Sequence, residues 1–514
     1  MLAPIHKRPF LWPALALLGC HGFAGTQVPP DASGPSPDDA EVDAAPPSIP
    51  EDPPPQSLDD LTSPWVLLVD DHLVDERGGA TRTYHAFRKD PRNPVIVPDR
   101  PWEGSTVYIY GTVLPRDDGS GWRMWYKTLS SAADRGSLLL YAESADGVSW
   151  SKPDLGTDPD VRNSAFDRPG RDDITSVLHT PWDPDPARRY HIVGYHHSPD
   201  GYFASWSRDG LHLAEPPANP VLTGGGDVGH FLWDPRSEQY VGYVKIPAEV
   251  NGTRRRAVGR VTGAEIDAWS APELVFAPDD MDDRWASGPE RTHIYGLPVF
   301  PIGTGYLALP WIFRATDAEG YFVGPVHVEL ASSADGIHWV REEADRPPIL
   351  ERGAAGAWDA GQVYTAGRPV RVGDELRLYY GGCDLEHGAP LDAMRCAIGL
   401  ASLPRDRFAS LDAGDDPATV TTRPLADLVG TLRVNAAASE GSLRIGVLTA
   451  DGEPIAGWSD ADCDPISTDS LDVRVRWGTR TDLPTSPGPL RLRFVLQRAS
   501  LFAFRADVPV GRGP

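Results

Sequence analysis

From about residue 61 onward, short apolar runs alternate with polar positions and close at Gly, Pro and Asp, the pattern of half-buried β-strands. The runs pair into hairpins. Residues 106–114 turn through Asp117-Asp118-Gly119-Ser120-Gly121 into 122–128, and 175–180 turn through Asp183-Pro184-Asp185-Pro186 into 190–196. Residues 230–233 turn at Asp234-Pro235 into 240–245, 294–301 at Gly303-Thr304-Gly305 into 306–313, and 362–370 at Val372-Gly373-Asp374 into 376–381. Each turn offers Gly, Pro or Asp where hairpin geometry requires them. A second signature follows most hairpins: Ser144-Ala145-Asp146-Gly147-Val148-Ser149-Trp150 is echoed at 207–213 and 333–339, and in degenerate form at 263–269 and 402–408. The repeats recur at roughly 56 to 70 residues, which suits a four-stranded blade with its loops. The Asp-Gly step reads as the turn into the outer strand, with Trp150 and Trp339 packing between blades. The pattern therefore predicts an all-β chain with a five-bladed β-propeller over 61–408. Residues 431–435, 442–448, 471–477 and 490–497 continue as strands with no helical period, predicting a C-terminal β-sandwich over 409–514.

The first sixty residues follow neither pattern. Lys7 and Arg8 precede a short apolar stretch that ends in Leu17-Leu18-Gly19-Cys20, which resembles the lipobox of bacterial lipoproteins. The resemblance implies that 1–20 is a signal peptide and that Cys20 carries the lipid. The protein would then be exported and held at a periplasmic or cell-surface membrane by acyl chains. Residues 21–60 hold ten prolines between Pro29 and Pro55 and nine acids, with no Lys or Arg between Arg8 and Arg77. Such a segment cannot bury apolar surface and is expected to be a disordered linker.

Charge changes the picture in one respect. A net charge of −25 excludes a nucleic-acid partner, since a phosphate backbone requires a basic face. The chain has five lysines, at 7, 89, 127, 152 and 245, so nearly all its positive charge is arginine, the mark of a GC-rich genome. Cys383 and Cys396 flank a loop between two neighbouring strands and are expected to form a disulfide in an oxidising compartment. Cys463 is left single. No zinc-ligand spacing, phosphate loop or serine nucleophile elbow occurs, so no metal and no cofactor is expected.

An exported five-bladed propeller with a C-terminal sandwich resembles the superfamily of glycoside hydrolase families 32 and 43. Residues 123–126, 295–301 and 357–361 through 381–382 also resemble a bacterial branch of it, as do 408–412 with 421–425. The resemblance implies hydrolysis of an oligo- or polysaccharide by a carboxylate pair in the central pocket, by a chain expected to be a monomer. Such chemistry needs one protonated and one ionised carboxyl on either side of the scissile bond. Acids stand just before the first strand of each repeat, and carry-over from the family implies Glu103, Asp227 and Glu290 as the catalytic set. Trp102, Asp173, His230, His293, Trp358 and Asp359 are expected to contact the sugar. Glu103-Gly104 stands where these families usually have an aspartate, so the alternative reading is a carbohydrate-binding propeller lipoprotein without catalysis.

Overall fold

The computed structural model describes residues 61–62, 64–128, 137–165, 172–197, 199–214, 218–341 and 346–512, with the backbone alone for 172–175. The export signal with Cys20, and the linker to residue 60, lie outside the described residues. What is described is nearly all β-structure, its only helical element being the 3-10 turn Pro186–Arg188. No helix among the described residues is long and apolar enough to cross a membrane.

The hairpins assemble as successive antiparallel meanders. The first holds Val113–Pro115, Trp122–Lys127 and Leu139–Ser144, with Tyr108 paired to Lys127 ahead of it. The second is Asp172–His179, Tyr190–His197, Asp200–Ser207 and Leu213–Ala214; the third is Gly229–Asp234, Gln239–Val250, Thr253–Gly263 and Glu273–Phe276. The fourth repeat splits into two three-stranded pieces, Arg291–Gly296 with Trp311–Ala315 and Val326–Val328, and Val299–Ile302 with Gly305–Ala308 and Ala331–Ser333. Pro298 and Pro310 sit at the break, where each lacks the N–H that would continue the ladder. The fifth repeat comprises Gln362–Thr365, Val370–Val372, Glu375–Cys383 and Cys396–Pro404. It joins the fourth in one eight-stranded sheet through a single parallel pair, Val326 with Gln362. No sheet closes on itself. Arg88–Lys89 adds the outer strand of the fifth repeat against Cys396–Pro404, so an early segment completes the last unit.

The Ser-x-Asp-Gly signature joins one repeat to the next. In each turn the serine Oγ accepts from the glycine N–H, at 2.8 Å for Ser144, 2.9 Å for Ser207 and 2.9 Å for Ser333. The aspartate caps the next two backbone N–H groups. That leaves the glycine carbonyl facing outward, where a neighbouring repeat donates to it. Tyr379 Oη reaches Gly147 at 2.7 Å, Trp125 Nε1 reaches Gly210 at 2.9 Å and Tyr243 Oη reaches Gly336 at 2.7 Å. A side chain on Gly210 would meet the Trp125 ring at 2.9 Å, and its φ of +80° disfavours any other residue. Repeat five thus grips repeat one, one grips two and three grips four. Trp150 packs edge-on against Tyr379, and Trp339 against Tyr243.

Two six-stranded sheets form the rest. Ala409–Ala413, Arg433–Ala437, Asp469–Arg474 and Ala499–Arg505 belong to one; Ala418–Thr422, Ser442–Thr449 and Leu490–Gln497 belong to the other. Leu411, Val434 and Phe504 share a single apolar core with Val420, Ile445 and Phe494. The boundary expected at residue 61 requires correction. Val66–Leu67 and Thr81–Tyr84 pair into the first of these sheets and Val74–Gly78 into the second. The physical reason is edge protection: Thr81–Tyr84 covers Ala409–Ala413 and Val74–Gly78 covers Ala418–Thr422, strands that would otherwise present open ladders.

Candidate functional site

Three of the acids that precede first strands are each held by a lysine, in three different settings. Glu103 is fully buried. Its Oε2 accepts from the backbone N–H of Asp99 at 2.8 Å and Arg100 at 3.0 Å and from Lys152 Nζ at 2.8 Å, while Oε1 accepts from Tyr126 Oη at 2.7 Å. Asn163 donates to Tyr126 and accepts from Trp102 Nε1, each at 2.8 Å, so Trp102 ends a chain of bonds leading into the protein. Glu103 is therefore assigned to a buried ion-pair network, which corrects the expectation of a catalytic role; Trp102, half-buried, closes the outer end of that network. No lone pair faces a ligand there. Asp359 is similarly enclosed, its side chain 4% exposed, with Lys89 Nζ at 2.5 Å and Tyr380 Oη at 3.0 Å. Trp358 stacks on Tyr380 at 5.6 Å. The Lys89–Asp359 pair fastens the early strand Arg88–Lys89 to the fifth repeat.

Asp227 is the exception. It pairs with Lys245, yet its side chain stays 37% exposed. It precedes Gly229–Asp234, behind three glycines; a side chain at Gly225 would meet the Tyr202 ring at 2.9 Å and one at Gly226 would meet Lys245 at 3.0 Å. That close backbone approach sets the carboxylate beside Lys245. Lys245 Nζ in turn lies 4.5 Å over the Tyr295 ring. Tyr295, Tyr364, Tyr110 and Trp311 form a continuous aromatic set, with Tyr110 and Tyr364 5.1 Å apart and Tyr295 and Tyr364 5.6 Å apart. Lys127 Nζ stands 4.3 Å over Tyr110, and the Arg256 guanidinium 4.1 Å over Tyr321. Repeats one, three, four and five contribute to this cluster, Tyr295 and Tyr364 from first strands and Lys127, Lys245 and Trp311 from second strands.

Its protonation states follow from the partners. Burial, reinforced by Tyr295 and by the Asp227 charge, pushes the Tyr110 hydroxyl well above the usual phenol range; burial does the same for Tyr364. Both remain O–H groups. Burial pulls His387 down to about 4, with Arg256 and Lys245 adding to the fall and the Phe322 carbonyl and Asp227 opposing it. Because a carbonyl can only accept, His387 Nδ1–H donates to Phe322 O at 2.7 Å, and Nε2 accepts from Tyr295 Oη at 3.2 Å. The disulfide between Cys383 and Cys396 closes the loop that carries His387. His293, at about 4 through burial, is neutral in the same way: Nδ1 accepts from Arg256 N and Nε2 donates to Gly320 O at 2.8 Å.

Of the remaining expected residues, Glu290 Oε2 accepts from Ser287 N and Oγ at 2.9 Å. It stands on a loop pinned by Arg341 on Asp282, Arg346 on Asp279 and Arg255 on Asp283. None of the bonds at Glu290 reaches the Asp227 cluster. His293 joins the cluster through Arg256 and Phe313. His230 touches it only edge-on, 4.9 Å from Trp311. Asp173 is the second residue of the strand Asp172–His179, with its side chain outside the described part. Among the described residues no group of His, Cys, Asp and Glu is placed to hold a metal.

Sequence reasoning passed over Tyr108, Tyr110, Tyr295, Tyr364, Lys127, Lys245, Arg256 and His387. A signal was present. In a chain that uses arginine almost everywhere, each lysine of the described part, Lys89, Lys127, Lys152 and Lys245, stands against a buried carboxylate or a tyrosine face. Those positions require a compact ammonium rather than a planar fork.

No family model matches the chain, and no curated protein does. Among solved structures it is similar to an N-acetylgalactosamine deacetylase from F. plautii in complex with blood group B trisaccharide, at 14% identity and a TM-score of 0.41, over 65% of this chain and 96% of that one. It is similar to a thermostable family-43 glycoside hydrolase at 11% identity and a TM-score of 0.40, over 62% and 96%. The Bombyx mori GH32 β-fructofuranosidase gives 10% identity and a TM-score of 0.38, over 82% and 95%. At these scores the functional reading has to rest on this chain's own residues.

Proposed function

We propose that the chain is a carbohydrate-binding protein of glycoside-hydrolase-like architecture, with five blades, a C-terminal sandwich and a sugar site at Asp227. The observation that carries this reading is the contrast among the lysine-held acids: Glu103 and Asp359 are enclosed, and Asp227 alone keeps a partly solvent-exposed side chain, 37% against 4% or less. Around it stand phenol donors, aromatic faces and fixed cations, a mixture suited to a ligand with many hydroxyls and apolar ring faces. Glycosidic hydrolysis needs a second carboxyl about 5–9.5 Å from the first. Glu103 does not serve, since its oxygens are saturated. The lipobox residues support lipid attachment at Cys20 and an exported, membrane-anchored protein, periplasmic or cell-surface.

A glycan array on the mature chain, followed by a reducing-sugar assay on whatever binds, tests this. The expected result is binding that Asp227→Asn weakens about tenfold or more, with no sugar released. Absence of binding to any glycan overturns the proposal. Hydrolysis that Asp227→Asn removes would establish instead an enzyme using Asp227 with another carboxyl.

A further inference from the structure

The first strands have a second end. Trp233 lies six positions beyond Asp227, about 20 Å of extended chain at ~3.3 Å per residue, so the two ends of the strand are far apart, with His230 between them at the border of the tyrosine cluster. There a cavity is lined by Thr112, Ser176, His230 and Phe300, with Trp182 and Trp233 also in its wall. Trp182 is 49% exposed, and its ring lies 5.7 Å from that of Trp233. The space would hold about three waters at ~30 Å³ each, and the exposed face of Trp182 extends it outward.

The polar groups in this wall have capacity to spare. Thr112 Oγ1 accepts from Val177 N and Ser176 Oγ from Phe231 N, each at 2.9 Å, which leaves each hydroxyl a proton to donate. His230 is 2% exposed, and neither ring nitrogen has a hydrogen-bond partner among the described residues. Burial lowers its pKa to about 3; the Tyr110 backbone opposes this without reaching bonding geometry, and Lys127 adds to it. A buried neutral imidazole with both nitrogens idle is costly; both nitrogens are closed to a water-sized molecule as the ring stands, so a ligand satisfies them by turning the ring toward the cavity. It offers one donor and one acceptor, the complement of a hydroxyl. The one formally charged residue in the lining, Arg368, is already engaged, and no carboxylate lines the space.

We propose that this cavity is a second binding site, for a small uncharged ring bearing hydroxyl groups, stacked on Trp182 and Trp233 and hydrogen-bonded by His230, Ser176 and Thr112. The site is separate from Asp227 and does not depend on the function assigned there.

Ligand-observed saturation-transfer NMR on the mature protein, with glucose, galactose, mannose and arabinose as neutral probes and glucuronate as the charged one, tests it. At least one neutral sugar should bind saturably, about tenfold more weakly to Trp182→Ala, and unchanged to Asp227→Asn. His230→Gln should also weaken it. Trp182 is half exposed, so its variant should fold, and an unfolding curve verifies this. No saturable binding by any neutral sugar overturns the proposal, as does binding that survives both Trp182→Ala and His230→Gln. Loss in Asp227→Asn would place the ligand at the other site, and glucuronate binding as tightly as the neutral sugars would refute the uncharged class.

Discussion

Glu103 with Lys152 and Asp227 with Lys245 are the same chemical pair at the same point of two repeats, just before a first strand, yet they do opposite things. Around Glu103 the neighbours supply a full complement of donors, and the carboxylate is wholly enclosed. Around Asp227 they supply three glycines and a tyrosine wall, and over a third of the side chain remains open. A carboxylate whose lone pairs are all occupied contributes to folding; one left partly open is available to a ligand. The acid's place in its repeat does not decide between these roles, and the next layer of residues does.

The contrast should be most visible in stability. Glu103→Ala takes the acceptor from the buried Tyr126 hydroxyl and two backbone N–H groups and leaves Lys152 with Asp99 and Val97 O alone, and should cost about 3–5 kcal/mol. Asp227→Ala, at a half-open site, should cost about 1 kcal/mol or less. Denaturant unfolding of the two variants measures this directly. Equal losses would mean that Asp227 is as much a part of the framework as Glu103.

Exchanging the cations sharpens the same point. Lys152→Arg forces a larger, planar head into a closed niche and should cost about 1–3 kcal/mol by overpacking. Lys245→Arg, over the Tyr295 ring but beside the partly exposed Asp227, should cost less, about 1 kcal/mol. If Lys152→Arg is neutral, the rarity of lysine is codon usage here as elsewhere, and the argument that these ammonium groups were selected fails.

Ligand binding should reverse the ranking. Asp227→Asn keeps size and polarity but removes the charge, and is expected to weaken glycan binding about tenfold or more, ~1.4 kcal/mol, with the unfolding midpoint almost unchanged. Lys152→Arg, where it folds, should bind like the parent. Titration of both variants with the same glycan gives the answer.

These comparisons also mark how far the sequence could be read. Hairpins and Ser-x-Asp-Gly turns are local: a glycine at φ +72° to +80°, a capping aspartate and an apolar run all lie within a few residues of each other, so the repeat was visible. The pairing of residues 66–84 with strands beyond 409 was not, because strand partners distant in the chain leave no local trace. Within the site, position named both Asp227 and Glu103. What separates them is where Lys152, Tyr126 and Asn163 fall once the repeats have packed, and only one of these, Lys152, stood out as unusual beforehand. The tyrosines of the cluster looked like ordinary strand residues, since a buried face and a ligand-facing face both read as alternating aromatics.

The smallest effect concerns acid, and it touches the Asp227 side alone, because the bonds around Glu103 involve no histidine. His387 has a folded pKa of about 4, below the unfolded value near 6.5. Above pH 6.5 both states are neutral and its contribution is complete. Between 6.5 and 4 the unfolded chain takes up a proton that the folded chain refuses, so stability falls as pH drops through that window. The limit for one group is about 1.4 kcal/mol per pH unit, and partial exposure reduces it to below about 1. His387→Gln should flatten the slope of unfolding free energy between pH 6.5 and 5 by that amount. His293 and His230, also neutral and buried, keep the remaining slope alive. As His387 protonates, its Nε2 can no longer accept from Tyr295, and the phenol beside Lys245 must turn elsewhere. Glycan affinity should therefore weaken below about pH 5, whereas Glu103 keeps its bonds. Affinity that stays level from pH 7 to pH 4.5 would show that the Tyr295 hydroxyl takes no part in holding the ligand.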